Sequence, residues 1–197
     1  GYPVELNLNG LKVEYAHTRP YRGMKLEDIE ILHALHEWKV EADYSSAVRL
    51  LEPFVRQLEQ KEDSLANRNK YYRPLSYLKE KLLLWEIKQQ VDSVNVGDSV
   101  RPYLKKDMLE GVYCDDGRRT YYWEGNQMIN TLIAYRIIKN DPSLCKLKEN
   151  MQLYILRTKE RGWNTYQASS AVATVLTDLL AGSGGMSGTS VFVSGKD

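Results

Sequence analysis

The chain has no excess of charge of either sign. Its 197 residues include 27 Lys and Arg against 26 Asp and Glu, so the formal net charge is +1. Proteins whose main partner is a nucleic acid depend on a basic excess to neutralise phosphates, and we therefore expect no nucleic-acid partner. Long apolar runs are also missing, and no stretch has the length that is needed to cross a bilayer.

Cysteine is scarce, and its spacing excludes the common zinc sites. The two cysteines, Cys114 and Cys145, have no second Cys or His at metal-ligand spacing. The three histidines are equally sparse. His33 and His36 lie three residues apart and could share a helix face, but no third ligand is evident other than Glu37 or Glu41. The sequence leaves open a disulfide between the two cysteines but favours two free thiols, and it predicts no metal and no cofactor.

Motifs for catalysis are missing as well. No serine lies in a Gly-x-Ser-x-Gly elbow, and the glycine-rich residues 182–188 contain no Lys to bind a phosphate. Asp115 and Asp116 precede Gly117 without the alternating spacing of a calcium loop, so we interpret them as a hydrophilic turn. The prediction is that this chain is not an enzyme.

The two ends of the chain have the pattern of strands. Apolar and polar side chains alternate over residues 4–8 and 11–15, and Asn9-Gly10 between them is a strong hairpin signal. Residues 1–23 are therefore predicted as a β-hairpin segment, which needs another element to pack on because a lone hairpin is barely stable. Residues 183–197 are predicted as a Gly/Ser linker and the start of a following strand.

Between these ends, residues 24–182 are predicted as a helical α/α domain. Apolar side chains recur there at three- and four-residue steps, which is the period of a helix. The apolar sets extend over Leu26–Trp38, Val48–Leu58, Leu75–Trp85, Ile129–Ile137, Leu144–Ile155 and Ala168–Leu179. We expect Asp43 or a following serine, Asn126 and Thr165 to cap helices, and Gly162 to close one.

Less regular stretches give finer expectations. Pro53 should kink its helix or open a new one. The polar residues 60–73 are expected to form a solvated connection, and Pro74 to lie in the first turn of the next helix. A short helix is expected from about Pro102 to Leu109, between loops. Asp141-Pro142 should end one helix and open the next.

Short connections between helices imply antiparallel neighbours. A single helical hairpin cannot bury its apolar face, but hairpins that stack side by side can, in a solenoid or a closed ring. No repeat of fixed length is present, which favours a ring of degenerate units. The predicted fold class is mainly α, with antiparallel helical hairpins that form an α/α toroid or part of one. The short N-terminal β-hairpin and the C-terminal strand complete it.

Tyrosine is abundant, with 14 residues against 2 Phe, and its amphipathic ring suits interfaces. Loops at comparable ends of successive hairpins contain a set of aromatic residues, namely Tyr113, Tyr121, Tyr122, Trp123, Trp163 and Tyr166. In a toroid these loops gather on one face, where the rings could form a concave surface for sugars or extended peptides. The alternative is that these aromatic side chains fill the central axis of the toroid.

One stretch resembles a known family. Residues 162–171, GWNTYQASSA, are similar to the Gly-x-Trp-x-Ser/Thr-Thr-x-x-Thr-Ala entry into a late toroid helix of alpha-2-macroglobulins and complement-like proteins, although one residue shorter. Tyr121-Tyr122-Trp123 before a helix, and the strand pattern of residues 189–196, also fit. From residue 111 onward the chain resembles the C-terminal part of the helical thioester-type domain of a bacterial alpha-2-macroglobulin-like protein.

The resemblance implies a periplasmic or cell-surface protein whose partners are proteins, either proteases or flanking β-sandwich domains. Thioester-bearing members contain Cys-x-Glu-Gln, which the sequences after Cys114 and Cys145 do not match. The expected function is therefore a non-catalytic protease-inhibitor or scaffold domain without a thioester. A glycan- or peptide-binding helical module, with carbohydrate as a candidate partner, and a plain helical interaction scaffold are the alternatives.

Overall fold

A computed structural model of the chain describes residues 24–119, 127–159 and 165–182. The hairpin predicted for residues 1–23 lies outside the described residues, as do the linker and strand predicted for residues 183–197. The described part is mainly helical, as predicted, and includes one small antiparallel sheet. None of its helices is long and apolar enough to cross a membrane.

Five helices of ten or more residues form the frame of the described part. They are α1 (Glu27–Glu37), α2 (Tyr44–Arg68), α3 (Leu78–Val91), α5 (Gln127–Ile138) and α6 (Cys145–Thr158). The shorter elements are α4 (Gly97–Val100), β1 (Leu104–Lys106), β2 (Val112–Cys114), α7 (Thr165–Ala171) and α8 (Thr177–Gly182). A π-helical turn, Val172–Leu176, joins the last two helices.

The predicted helix boundaries are partly confirmed. Asp43 is the N-cap of α2, and its carboxylate accepts from the backbone N–H of Ser46 at 3.0 Å. The chain turns at Asp141, as expected. The caps predicted at Asn126, Gly162 and Thr165 depend on residues or side chains outside the described part. Trp38, by contrast, was predicted on the apolar face of the first helix, but α1 ends at Glu37. The side chain of Trp38 is 76% exposed.

The connection predicted for residues 60–73 is wrong for most of its length, because α2 continues to Arg68. Lys, Glu, Gln and Ala are good helix formers even where no apolar face requires a helix. Buried Glu62 then ties the helix end to the next loop, since its carboxylate accepts from the Tyr72 hydroxyl at 2.8 Å and the Leu75 N–H at 2.9 Å. Pro53 lies inside α2 and opens no second helix.

Two further expectations about local structure are also wrong. Pro74 does not lie in the first turn of α3, which starts four residues later. Its neighbour Leu75 instead forms an isolated parallel β-bridge with Arg119. The helix expected at 102–109 is a 3₁₀ turn, Arg101–Tyr103, followed by the hairpin of β1 and β2.

The tip of the β1–β2 hairpin explains why no helix forms there. The carboxylate of Asp107 accepts from the N–H groups of Leu109 and Gly111 at 2.8 and 2.7 Å, a local alternative to helical hydrogen bonds. Glu110 has φ 63°, in the left-handed region that is incompatible with a continuing helix.

Pairs of contacts along neighbouring helices give their relative directions. Glu52 pairs with Lys88 and Glu59 with Lys81, so α2 and α3 are antiparallel. In the other half, α5 and α6 are also antiparallel. Thr158 donates to the Met128 sulfur, and Gln152 donates to the Tyr135 hydroxyl.

Alternate helices share a direction. Along α1 and α3, Glu30 pairs with Lys79 and His33 with Glu86, so both helices advance the same way. Along α3 and α5, Glu86 pairs with Arg136, and Gln89, farther on, donates to the Ile137 carbonyl. Thus α1, α3 and α5 run side by side in one direction, while α2 and α6 return in the other.

The core centres on α3 and α5, which have other elements on several sides. The buried residues of α5 include Leu132, Ile133, Ala134 and Tyr135, in succession, so the helix has no solvated stripe there. Helix α3 packs on α1, α2 and α5, and α5 also packs on α6, α7 and β2.

Candidate functional site

Only one residue of the predicted aromatic surface has a described side chain. Tyr113 lies on β2, is half-buried, and its ring stacks on that of Tyr154 from α6, with 5.2 Å between centroids. Tyr121, Tyr122, Trp123 and Trp163 lie outside the described residues, and so does the side chain of Tyr166, although α7 includes its backbone. At Tyr113, the ring packs between elements.

The acidic pair predicted as a hydrophilic turn is a turn in the structure. Asp115 accepts from the N–H of Gly117, whose φ is 74°, and Asp116 accepts from the N–H of Arg118. The carboxylates are also paired: Asp116 accepts from the Ser76 hydroxyl at 2.7 Å, and Asp115 lies 3.3 Å from Lys105 Nζ. These contacts connect the turn to the loop before α3 and to β1.

The described helices enclose a polar cavity that the sequence analysis did not anticipate. Its volume is ≈ 350 Å³, and α1, α3, α5 and α7 supply its walls. From α3, Lys79 and Leu83 face it, as the four-residue spacing of a helix face requires. Helices α2 and α6 pack on the outside of these helices and contribute no residue to the lining. We call this cavity the concave pocket.

Two lining residues of the concave pocket, His33 and Arg136, hold a buried carboxylate. Glu86 on α3 has a side chain that is 4% exposed, and Arg136 on α5 donates to both of its oxygens at 2.6 and 2.7 Å. His33 Nε2 on α1 lies 2.9 Å from the same carboxylate. The bidentate geometry is the strongest form of such a pair. Three helices are therefore joined through one side chain.

This arrangement fixes the charge of Glu86. Burial on its own would raise the pKa of the carboxyl, but the hydrogen bonds from Arg136 and His33 outweigh burial and lower the pKa to about 2. A carboxyl that stays ionised at neutral pH is a poor general acid. The cluster is suited to hold helices together and to present fixed charge to the pocket.

The same cluster is the one place in the described residues where three metal-ligand side chains converge. Ligand atoms of His33, Glu37 and Glu86 lie within 4.8 Å of one another. However, Arg136 already occupies both oxygens of Glu86, so a cation there would lie beside a guanidinium. Glu37 is also 49% exposed and 3.9 Å from His33. The donor set fits an ion-pair network better than a metal centre.

A second cavity, which we call the apolar groove, has a volume of ≈ 580 Å³ and is larger than the concave pocket. It is lined by apolar side chains from the start of α1, from α2 and from the loop before α3, namely Met24, Leu26, Phe54, Leu58, Leu75 and Tyr77. Glu80 also lines it, and burial raises the pKa of this carboxyl.

A third cavity, the outer groove, lies on the side of α3 that is opposite to the concave pocket. It has a volume of ≈ 340 Å³ and is lined by α2, α3 and Ser99. Its charges pair across the two helices, with Glu52 at 2.8 Å from Lys88 and Glu59 at 3.1 Å from Lys81. The Lys81 ammonium also donates to the Tyr103 hydroxyl at 2.7 Å.

The two cysteines are free, as predicted. Cys114 on β2 is fully buried, and burial, followed by the nearby Asp115 and Asp116, raises the pKa of its thiol to about 12. Its backbone N–H donates to the Thr131 hydroxyl at 2.9 Å. Cys145, at the start of α6, is exposed. The buried thiol is therefore unreactive at neutral pH.

Sequence reasoning missed the Glu86 cluster, although a signal for it exists. Glu86 follows Leu82–Trp85 and precedes Ile87, and Arg136 lies between Tyr135 and Ile137. A single charged residue within an apolar segment of each of two helices suggests a buried pair, because such charges are rarely buried unless partnered.

Comparison with known proteins adds no relative: no protein-family model, no curated protein and no solved structure matches this chain.

Proposed function

We propose that this chain is a non-catalytic α/α-ring domain of a macroglobulin-like cell-envelope protein, with a protease-inhibitor or scaffold role and without a thioester. The partners in this proposal are proteins, either proteases or flanking β-sandwich domains, and the location is the periplasm or the cell surface. The sequence resemblance from residue 111 onward motivates it. The structure contributes an independent argument from helix direction.

The shared direction of α1, α3 and α5 is the observation that carries the proposal. In an α/α ring, the inner helices run parallel to one another and each outer helix returns antiparallel to its neighbour. The ion pairs of α3 with α1 and α2 have this alternation, and so do the contacts of α5 with α3 and α6. An arc of such a ring places the concave pocket on its inner side.

The charges in and beside the concave pocket support a role without catalysis. Glu86 is ionised and held by Arg136 and His33, while Glu30 pairs with Lys79. Catalytic acids and bases usually have a pKa that is moved toward neutrality, whereas the pKa of Glu86 is moved away from it. These side chains are arranged to support one another rather than to transfer protons.

The sequence of the gene on both sides of residues 1–197 tests the family assignment. Flanking β-sandwich modules are expected under the proposal. A gene that encodes no such modules would overturn it and leave a free-standing helical domain.

A chemical experiment tests the absence of a thioester. The native protein is incubated with labelled methylamine, and thiols are titrated with a disulfide reagent before and after denaturation. We expect no incorporation of the amine, one reactive thiol in the native state, from Cys145, and two after denaturation. Incorporation of the amine as an amide of a glutamyl side chain, with release of a cysteine thiol, would contradict the proposal.

The concave pocket favours one alternative, a peptide- or glycan-binding module. Its mixed lining includes Ile129, Ile133 and Ser170 beside the ion pairs, which is typical of sites that orient a ligand with few polar groups. Titration with oligosaccharides and with short extended peptides tests it. Binding that is lost in Ser170→Glu, but kept in Leu153→Glu on α6, would support the alternative over a pure scaffold.

A further inference from the structure

The concave pocket has walls of different chemistry. On α1, Glu30, Ala34 and Glu37 line it at the spacing of one helix face. On α5, half-buried Ile129 lines it, and on α3, which packs on both of these helices, Leu83 does so. Carboxylates along one wall with apolar side chains across from them suit a ligand that has one charged end and one apolar end.

The charges of the pocket do not balance. Lys79 lines the pocket and pairs with Glu30. Arg136 also lines it and donates two hydrogen bonds to buried Glu86. These two pairs leave the carboxylate of Glu37, with which no Lys or Arg of the described residues pairs. When histidines are counted as neutral, these groups therefore carry one negative charge in excess.

Within the described part, Glu37 interacts with two histidines. His33 Nε2 lies 3.9 Å from its carboxylate, which is beyond the length of a hydrogen bond, and the same nitrogen lies 2.9 Å from Glu86. His36 interacts with Glu37 electrostatically. Because the side chain of Glu37 is 49% exposed, a ligand in the pocket can reach its oxygens.

We propose that the concave pocket binds a primary ammonium group on a short apolar stem, with Glu37 as its counter-ion. An ammonium group has three donors, and both Glu37 and the hydroxyl of Ser170, which also lines the pocket, can accept from them. The stem packs on Ile129. A metal ion fits less well, because it would need Glu86, whose two oxygens already accept from Arg136.

This proposal rests on the charges and walls of the pocket and not on the macroglobulin assignment. It deepens the peptide-binding alternative by naming the group that the pocket recognises. Ammonium groups of this kind occur in free alkylamines and in lysine side chains. A cavity of ≈ 350 Å³ admits either of them, so the experiment has to distinguish the two sources.

Titration of the full chain with n-butylammonium and with 1-butanol, followed by NMR, tests the proposal. The amine should bind with a dissociation constant on the order of 1 mM, as is usual for ligands of this size. The alcohol should bind about five- to tenfold more weakly, because it cannot pair with a carboxylate. Methylammonium should also bind more weakly, by up to about fourfold for each methylene that it lacks. Equal affinities for butylammonium and butanol would overturn the proposal.

Variants of one carboxylate connect the binding to its position. Glu37→Gln should weaken the binding of butylammonium about five- to tenfold without a change for butanol, and Glu37→Asp should retain more of the binding. The matched control is Glu41→Gln, which removes an exposed carboxylate four residues later that does not line the pocket. Melting temperatures establish that each variant is folded. Equal effects of Glu37→Gln and Glu41→Gln would show unspecific attraction and contradict the proposal.

Two capped tripeptides, one with lysine and one with norleucine between glycines, assign the source of the ammonium group. Tighter binding of the lysine peptide than of butylammonium would assign the pocket to a lysine side chain of a partner protein, and weaker binding would assign it to a free amine. If both peptides bind equally and butylammonium does not bind, the peptide-binding alternative stands and the ammonium proposal is wrong.

Discussion

Helix α3 carries ion pairs on two opposite faces, and the faces differ in burial. Toward α1 and α5, Glu86 is 4% exposed and has two partners on two helices. Toward α2, the side chains of Lys88 and Glu52 are 32% and 23% exposed and pair only with each other. Glu86 is held by two hydrogen bonds from Arg136 and by His33, and water reaches its carboxylate less than it reaches either member of the second pair, so the energetic consequences should differ severalfold.

Removal of the guanidinium should have the largest effect. Arg136→Ala leaves Glu86 buried with His33 as its remaining partner, and loss of one member of a buried pair costs about 3–5 kcal/mol. Urea denaturation at pH 7 measures the loss. The double variant Glu86→Leu, Arg136→Met should recover most of the stability, because it removes both charges and keeps apolar volume. A loss below about 1 kcal/mol in Arg136→Ala would show that water reaches the carboxylate.

The second largest effect should be the loss of stability in acid, where Glu86 on the buried face of α3 becomes protonated. The pKa of Glu86 is lowered from 4.5 to about 2 in the folded protein, so its contribution to stability is complete above about pH 4.5 and is lost as the pH falls toward 2. The difference corresponds to about 3 kcal/mol. The melting temperature should therefore fall less steeply between pH 6 and pH 2 for Glu86→Gln than for the wild type. Parallel pH profiles would contradict the assignment.

The outline of the helical frame could be predicted from the sequence, because apolar periodicity alone locates α1, α3, α5 and α6. The ends of helices were harder. Residues 60–68 of α2 are good helix formers without an apolar face, and the carboxylate of Glu62 among them accepts hydrogen bonds from Tyr72 and from the Leu75 N–H. Such tertiary contacts leave no periodic trace in the sequence.

The site was less predictable than the frame, for a physical reason. Apolar patterning marks the residues that leave water, whereas Glu86 and Arg136 enter the core because each satisfies the other. Only the pairing of α3 with α5 brings them together. The hairpin at residues 104–114 was missed similarly, since it depends on hydrogen bonds to one side chain, Asp107.

Within the outer groove, Lys81 should matter more than Lys88. Its ammonium contacts Glu59 and the Tyr103 hydroxyl, and it lies 5.6 Å from the centroid of the Trp85 ring. Burial lowers the pKa of Lys81, but these partners outweigh burial and raise it overall. Lys81→Met should cost about 1–2 kcal/mol, as the sum of an ion pair and a cation–π contact, measured by urea denaturation. A cost equal to that of Lys88→Met would remove the distinction between these lysines.

The smallest effect should come from the pair of Glu52 and Lys88. A double-mutant cycle with Glu52→Gln and Lys88→Met should give a coupling energy of about 0.5 kcal/mol, since water screens both side chains and ordering them costs entropy. Added salt at 1 M should reduce this coupling further, because the Debye length falls to about 3 Å. The coupling of Glu86 with Arg136 should change little under the same conditions, since ions cannot approach a carboxylate that is 4% exposed. Equal salt sensitivity of the two couplings would mean that burial does not separate the two faces of α3.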